Sequence, residues 1–211
     1  TWLPTDGLSD PNISNPIATP NETTTYTVTI SNGTCSIEKQ VKVIVLKDVS
    51  ADAGEDKRIL TGQSVEINGN VEGDNAIYSW WPTDYLDDPT RLNPIATPPT
   101  DITYTLTVQS DCNVISDDVF IKVYPKIEIP NTFTPNGDGI NDNWNIPSIS
   151  AFENPKLQVV NRSGQLVYET KNKQPWDGKS NGKNLPEGVY YYNLYLNDEF
   201  KLYSGWVMLT R

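Results

Sequence analysis

Residues 1–30 read TWLPTDGLSDPNISNPIATPNETTTYTVTI, and residues 79–108 read SWWPTDYLDDPTRLNPIATPPTDITYTLTV. Seventeen of the thirty aligned positions are identical, without a gap, at an offset of 78 residues. Cys35 and Cys112 then correspond after a one-residue slip, and Val41–Val45 returns to register against Val119–Val123. A period of 78 is too long for a solenoid unit and suits one small domain per repeat. Within each copy, Thr25–Ile30 and Thr103–Val108 alternate with period two, as half-buried strands do. Ser64–Ile67 and the closing runs Val41–Leu46 and Val119–Tyr124 do the same, with Pro- and Asn-rich stretches between them. No segment holds a helical period. Several short strands per repeat predict an all-β chain of tandem antiparallel Ig-like β-sandwich domains. Trp2 and Trp80 open matching strands and are expected in the cores.

The repeat starting at Ala51 runs complete to about Pro125, whereas the one at Thr1 lacks the equivalents of residues 51–78. A half-sandwich has an open core and an unpaired edge. The chain therefore reads as part of something longer, with further repeats upstream. Residues 126–211 do not align with the repeat. They carry nine basic and nine acidic residues, so the net charge of −11 resides in residues 1–125. Strands are expected at Leu157–Val160, Gln165–Tyr168, Val189–Leu196 and Phe200–Thr210, with hairpin turns at Asn161–Gly164 and Leu196–Glu199. The expected division is 1–48, 49–125 and 126–211.

Composition excludes several functions. A chain of 27 acidic and 16 basic residues will not track nucleic-acid phosphates or an anionic membrane surface. It has no histidine, which removes Ser-His-Asp and Cys-His catalysis, a His-ligated zinc and a histidine pH switch. No apolar run approaches the roughly 18 residues of a membrane helix. Asp87-Asp88 and Asp117-Asp118 imitate a glycosidase dyad, but neighbours on a strand point to opposite faces. Cys35 and Cys112 occupy equivalent points on successive repeats. A bridge needs Cα atoms within about 7 Å, so both are expected unpaired, as free thiols or apolar core residues.

Asn136, Asp138, Ile140 and Asp142 fit the spacing of a small calcium loop. Three side chains and the Ile140 carbonyl supply oxygens from alternate positions of a Gly-containing turn. The alternative is an Asx-rich turn braced by its own hydrogen bonds. Trp176-Asp177-Gly178 with Tyr190-Tyr191-Tyr192 reads either as a sugar platform or, more economically, as core aromatics. The last strand, Gly205 to Arg211, reads either as an ordinary closing strand with Val207 and Leu209 on one face, or as a free edge for strand addition.

Two resemblances cover most of the chain. Residues 51–125 resemble the Ig-like polycystic-kidney-disease-type repeats of bacterial surface proteins, through Asp52–Asp56, Gly62–Val65, Tyr78-Ser79-Trp80, Asn93–Pro98 and Thr103-Tyr104-Thr105. In many such repeats a cysteine just before the Gly62 position pairs with the one at Cys112. Here Ile59-Leu60-Thr61 stands in that stretch, which supports a free Cys112. Residues 126–211 resemble the gliding-motility-associated C-terminal domain, type B, of type IX secretion cargo. The matching segments are Pro130–Asp142, Asn161–Tyr168, Trp176-Asp177-Gly178, Leu185–Tyr192 and Gly205–Arg211. This resemblance implies a non-enzymatic cell-surface adhesin of the gliding-motility kind, with the repeats as a stalk and the terminal domain as the export signal. It implies the outer-membrane translocon and a cognate outer-membrane β-barrel as partners, and Gly205, Val207, Leu209 and Arg211 as the contact, Arg211 through its fixed charge. A second function of a different class is a carbohydrate-binding module with a glycan ligand in this segment. A hydrolase requires catalytic residues in an upstream part.

Overall fold

The computed structural model describes residues 1–211. It is all β apart from one short 3₁₀ turn, Pro147–Ala151. In the second repeat, Ile102–Gln109 pairs with both Val114–Tyr124 and Ile77–Trp81, antiparallel. Lys57–Leu60 completes this four-stranded sheet by pairing parallel to Val114–Tyr124. Two small ladders, Ser50–Asp52 with Asn70–Glu72 and Val65–Glu66 with Ile95–Ala96, form the covering layer. Alternation decides what lies between. Tyr104, Leu106 and Val108 face in and meet Val119, Ile121 and, on the fourth strand, Ile59, with Ala53 and Ile67 from the covering side. Trp80 is buried there as expected, its indole N–H donating to the Leu92 carbonyl at 3.2 Å.

The first repeat has three strands, Trp2–Leu3, Thr24–Ser31 and Ser36–Val43. Its strands and turns repeat individual bonds of the second. Tyr26 donates to the Asp6 carbonyl at 2.8 Å, and Tyr104, 78 positions on, donates to Asp84 at 2.7 Å. Burial pushes the Tyr104 hydroxyl up to about 12. Trp2, expected in a core, is only half-buried. Its ring has the sheet on one side and nothing like the second repeat's covering layer on the other.

In residues 126–211 one five-stranded sheet runs in the order Thr132–Phe133, Tyr203–Leu209, Gly188–Tyr195, Lys156–Val160 and Leu166–Thr170. All pairs are antiparallel except the first, which is parallel. Both hairpin turns expected from sequence join paired strands. At the first, Asn161 accepts from the N–H groups of Ser163 and Gln165, and Gly164 takes φ +76°. The core beneath the sheet is aromatic: Phe133, Trp144, Phe152 and Trp176 are fully buried. Trp144 and Trp176 bond each other's backbone and meet edge to face, centroids 6.4 Å apart.

One member of this core comes from outside the segment. Leu60, on a strand of the second repeat, belongs to the same buried cluster as Phe152, Leu157 and Leu194. Tyr124 stacks on Phe152 at 4.6 Å, Phe200 closes on both rings edge-on, and Arg58 pairs with Glu199 at 2.7 Å. The second repeat and the terminal segment thus share apolar packing across the 125/126 boundary.

Candidate functional site

The closing strand is the first candidate. It lies second from the edge of the five-stranded sheet, so the expected free edge is covered at one end and open along the rest. Gly188–Tyr195 pairs along its whole length on one side, and Thr132–Phe133 covers Met208 and Leu209 on the other. Only the side of Tyr203–Val207 that faces Thr132–Phe133 lacks a ladder partner. Val207 and Leu209 are fully buried, so in the folded domain they hold the strand down and touch no partner. Gly205 leaves room for the Tyr192 side chain: a Cβ there would lie 2.6 Å from its hydroxyl oxygen. Arg211 is exposed and anchored. Its backbone N–H donates to Glu187 Oε1 at 3.1 Å and its Nη1 to the Leu185 carbonyl at 2.8 Å.

What the strand presents to solvent is its other face, which sequence reasoning missed. Trp206 is 49% exposed and stands directly opposite Tyr191, 45% exposed. Tyr191 in turn opposes Val160, which opposes Leu166 across a bulge. Cross-strand partners share a face, so these four side chains form one apolar row across four strands. Val189 and Met208, the next pair on that face, are half-exposed beside it. The period-two pattern marked Trp206 and Met208 as opposite to Val207 and Leu209, but not which pair faced the core.

The Asn136–Asp142 loop is the second candidate. Asp142 accepts from Gly137 N–H at 2.7 Å through one oxygen and from Gly139 N–H at 2.8 Å through the other. These donors hold its carboxyl below the usual carboxylate range. Asp138 accepts from Ile140 N–H and from the Asn136 amide, and Asn136 Oδ1 accepts from Asp138 N–H. The Ile140 carbonyl accepts from the Thr134 hydroxyl at 3.3 Å. All four residues named from sequence are therefore in one exposed loop, and the loop has the bonding of an Asx turn. Each ionised carboxylate oxygen still has a lone pair beyond the one it uses, so the oxygen-rich donor set is compatible with a hard cation.

The aromatic triplet divides as alternation requires. Tyr190 is buried, Tyr191 exposed and Tyr192 half-buried against Trp144. Trp176 is fully buried and offers no ring face to a sugar. The acidic pairs hold backbone: Asp87 braces its turn by accepting from Asp88 and Ile95 N–H, and Asp117, on its strand, accepts from Ala53 N–H. Cys35 and Cys112 are free, and both are exposed rather than in a core, each following an Asn- or Ser-braced turn.

Residues 127–209 match the CHU_C type IX secretion signal domain. The match spans the five-stranded sheet and its aromatic core. A signal domain of this type engages the type IX export machinery and marks its chain for passage across the outer membrane, to the cell surface or beyond it. No helix is long and apolar enough to cross a membrane. No curated protein matches the chain. Among solved structures, titin domains A168–A170 superpose with a TM-score of 0.51 at 10% identity, covering 90% of this chain and 75% of theirs. That likeness shows tandem Ig-like folds and nothing about activity. Drosophila OTK extracellular domains 3–5 follow at a TM-score of 0.48, 14% identity, 89% and 70% coverage.

Proposed function

We propose that this chain is the C-terminal part of a non-enzymatic, gliding-type surface adhesin. In this reading 1–48 and 49–125 are stalk repeats of the polycystic-kidney-disease type, and 126–211 delivers them to the type IX translocon and a cognate outer-membrane β-barrel. The observation that carries it is the signal-domain match over residues 127–209. The acidic upstream repeats of Ig-like fold support the stalk. Of the signal residues, Gly205, Val207 and Leu209 set the closing strand in place, and Arg211 with the exposed Trp206–Tyr191 row meets the machinery. Large aromatics and arginine are the side chains that dominate protein interfaces.

Calcium at Asn136, Asp138, Ile140 and Asp142 belongs to the same proposal. It would pin the Thr132–Phe133 edge strand through Thr134, whose hydroxyl and N–H both reach into the loop.

The test is export of a fluorescent protein fused ahead of residues 49–211, a length that retains Leu60 and Tyr124. Wild-type fusions should reach the medium or cell surface, and Trp206→Ala with Tyr191→Ala should retain them inside at unchanged melting temperature. Equal export of the double variant would remove the row from the signal. A glycan-array signal lost in the same variant, with export intact, would favour the carbohydrate-binding alternative.

A further inference from the structure

Each repeat turns one face of its sheet away from the core, and strand register fixes what lies there. In the second repeat Tyr104, Leu106 and Val108 point inward, so Thr103, Thr105 and Thr107 point outward. Trp81 stands opposite Thr105, and Thr105 opposite Asp118, which makes one row across three strands. Phe120 stands opposite Thr103 in a neighbouring row. The Thr107 hydroxyl meets that of Ser116 at 3.1 Å, as a shared face requires. The first repeat builds the same ladder from Leu3, Thr27 and Gln40, with Thr25 opposite Lys42. Both copies keep the threonines. In place of Leu3, Gln40 and Lys42 the second copy has Trp81, Asp118 and Phe120.

The fold does not ask for these three side chains, since the first repeat pairs the same strands without them. Trp81 is 73% exposed, an unusual setting for so large a side chain. Its neighbour Trp80 is buried and spends its indole N–H on the Leu92 carbonyl, whereas the Trp81 N–H has no acceptor in the protein. The Asp118 carboxylate is exposed and in no ion pair, although Lys122 on the same face is held by Asp101 at 2.6 Å. The Thr103 and Thr105 hydroxyls are likewise unspent. An open aromatic ring thus has unused donors and acceptors beside it, and strand spacing sets the Trp81 and Asp118 backbones about 10 Å apart.

We infer that this face of the second repeat binds a neutral hexopyranose unit of a glycan. The negative face of the indole attracts the polarised C–H groups on one side of a sugar ring. The threonine hydroxyls donate to and accept from the sugar's hydroxyl rim, and the Asp118 carboxylate accepts from two of its hydroxyls. Hydroxyls and a carboxylate between two aromatic rings suit a polyol, whereas the centre of a protein interface is depleted of charge. Charge sets the sign of the ligand. Residues 1–125 hold the whole net charge of −11, so uronates, sialic acids and phosphorylated sugars are repelled. The inference gives the adhesin reading a ligand and rests on it only for its purpose. The site lies apart from the Trp206–Tyr191 row, and its test does not involve export.

The test applies the purified 211-residue chain to an array of neutral oligosaccharides of glucose, galactose, mannose and N-acetylated hexosamines, beside sialylated and uronate-bearing ones. The wild-type chain should bind at least one neutral glycan in preference to the acidic ones. Trp81→Leu and Asp118→Gln, which install the first repeat's residues, should each weaken that binding at least tenfold at unchanged melting temperature. Trp206→Ala with Tyr191→Ala should bind as the wild type does. Absence of binding to every neutral glycan would overturn the inference, as would preference for the acidic ones or equal affinity in Trp81→Leu and Asp118→Gln. Loss of binding in the Trp206 and Tyr191 variant alone would also overturn it, by moving the glycan to the signal domain.

Discussion

Leu60→Ala is the sharpest probe of how the signal domain is built. Leu60 sits on a strand of the second repeat but is 7% exposed within the signal domain's core, beside Phe152. Truncating a buried leucine costs about 2–5 kcal/mol, depending on how far the cavity collapses. This site lies at the rim of the cluster, where Tyr124 and Phe200 can close in, so the low end, about 2–3 kcal/mol, is expected. Each 1.4 kcal/mol is tenfold in an equilibrium. Amides of Leu157–Val160 and Gly188–Tyr195 that exchange by unfolding should therefore speed up by about 30-fold or more. Ile67→Ala, wholly inside the repeat's own core, is the control and should loosen Ile102–Gln109 instead. The readout is hydrogen exchange by mass spectrometry on the full chain. If Leu60→Ala loosens only the repeat and leaves the signal-domain strands at wild-type rates, the shared core is refuted. The same packing predicts that residues 126–211 alone are less stable than the same residues within 49–211.

Three further outcomes follow from the loop and the thiols. Asp142 has its folded pKa depressed, so its contribution is complete above the unfolded value of about 3.9 and is lost as pH falls through the folded one. Asp142→Asn should thus lower the melting temperature at pH 6 and flatten its fall below pH 4; parallel wild-type and variant curves down to pH 2 would contradict the two Gly N–H bonds. Millimolar calcium should raise the melting temperature of the chain relative to chelator, with magnesium substituting poorly because it demands tighter octahedral geometry, and Asp138→Ala should abolish the difference. Identical curves would make the loop a hydrogen-bonded turn and nothing more. Cys35 and Cys112 are exposed, so native protein should take up two equivalents of a thiol alkylator without denaturant, and labelling that needs unfolding would place them elsewhere.

The repeat, the strand pattern and the terminal segment were all legible in the linear chain, because each is a local property. Identity at an offset needs no coordinates, and Tyr104 and Val108 declare a shared face through their spacing alone. Both hairpin turns were equally local, since Asn161 and Gly164 act within a few residues. Period two, however, states only that Val207 and Leu209 are opposite to Trp206 and Met208. Which pair is buried depends on Trp144, Trp176 and Phe133 arriving from elsewhere, and that placed Trp206 and Tyr191 outside together. The position of the last strand was likewise non-local. A strand at the end of a chain is an edge only where nothing pairs beyond it, and Thr132–Phe133, some seventy residues earlier, pairs with Met208 and Leu209 and leaves Tyr203–Val207 open. The boundary at residue 126 marks a change of sequence type, whereas the boundary of the packed core is set by which apolar side chains meet in space. Leu60 crosses it because a strand paired parallel to Val114–Tyr124 ends where that strand ends, against the next domain's Phe152.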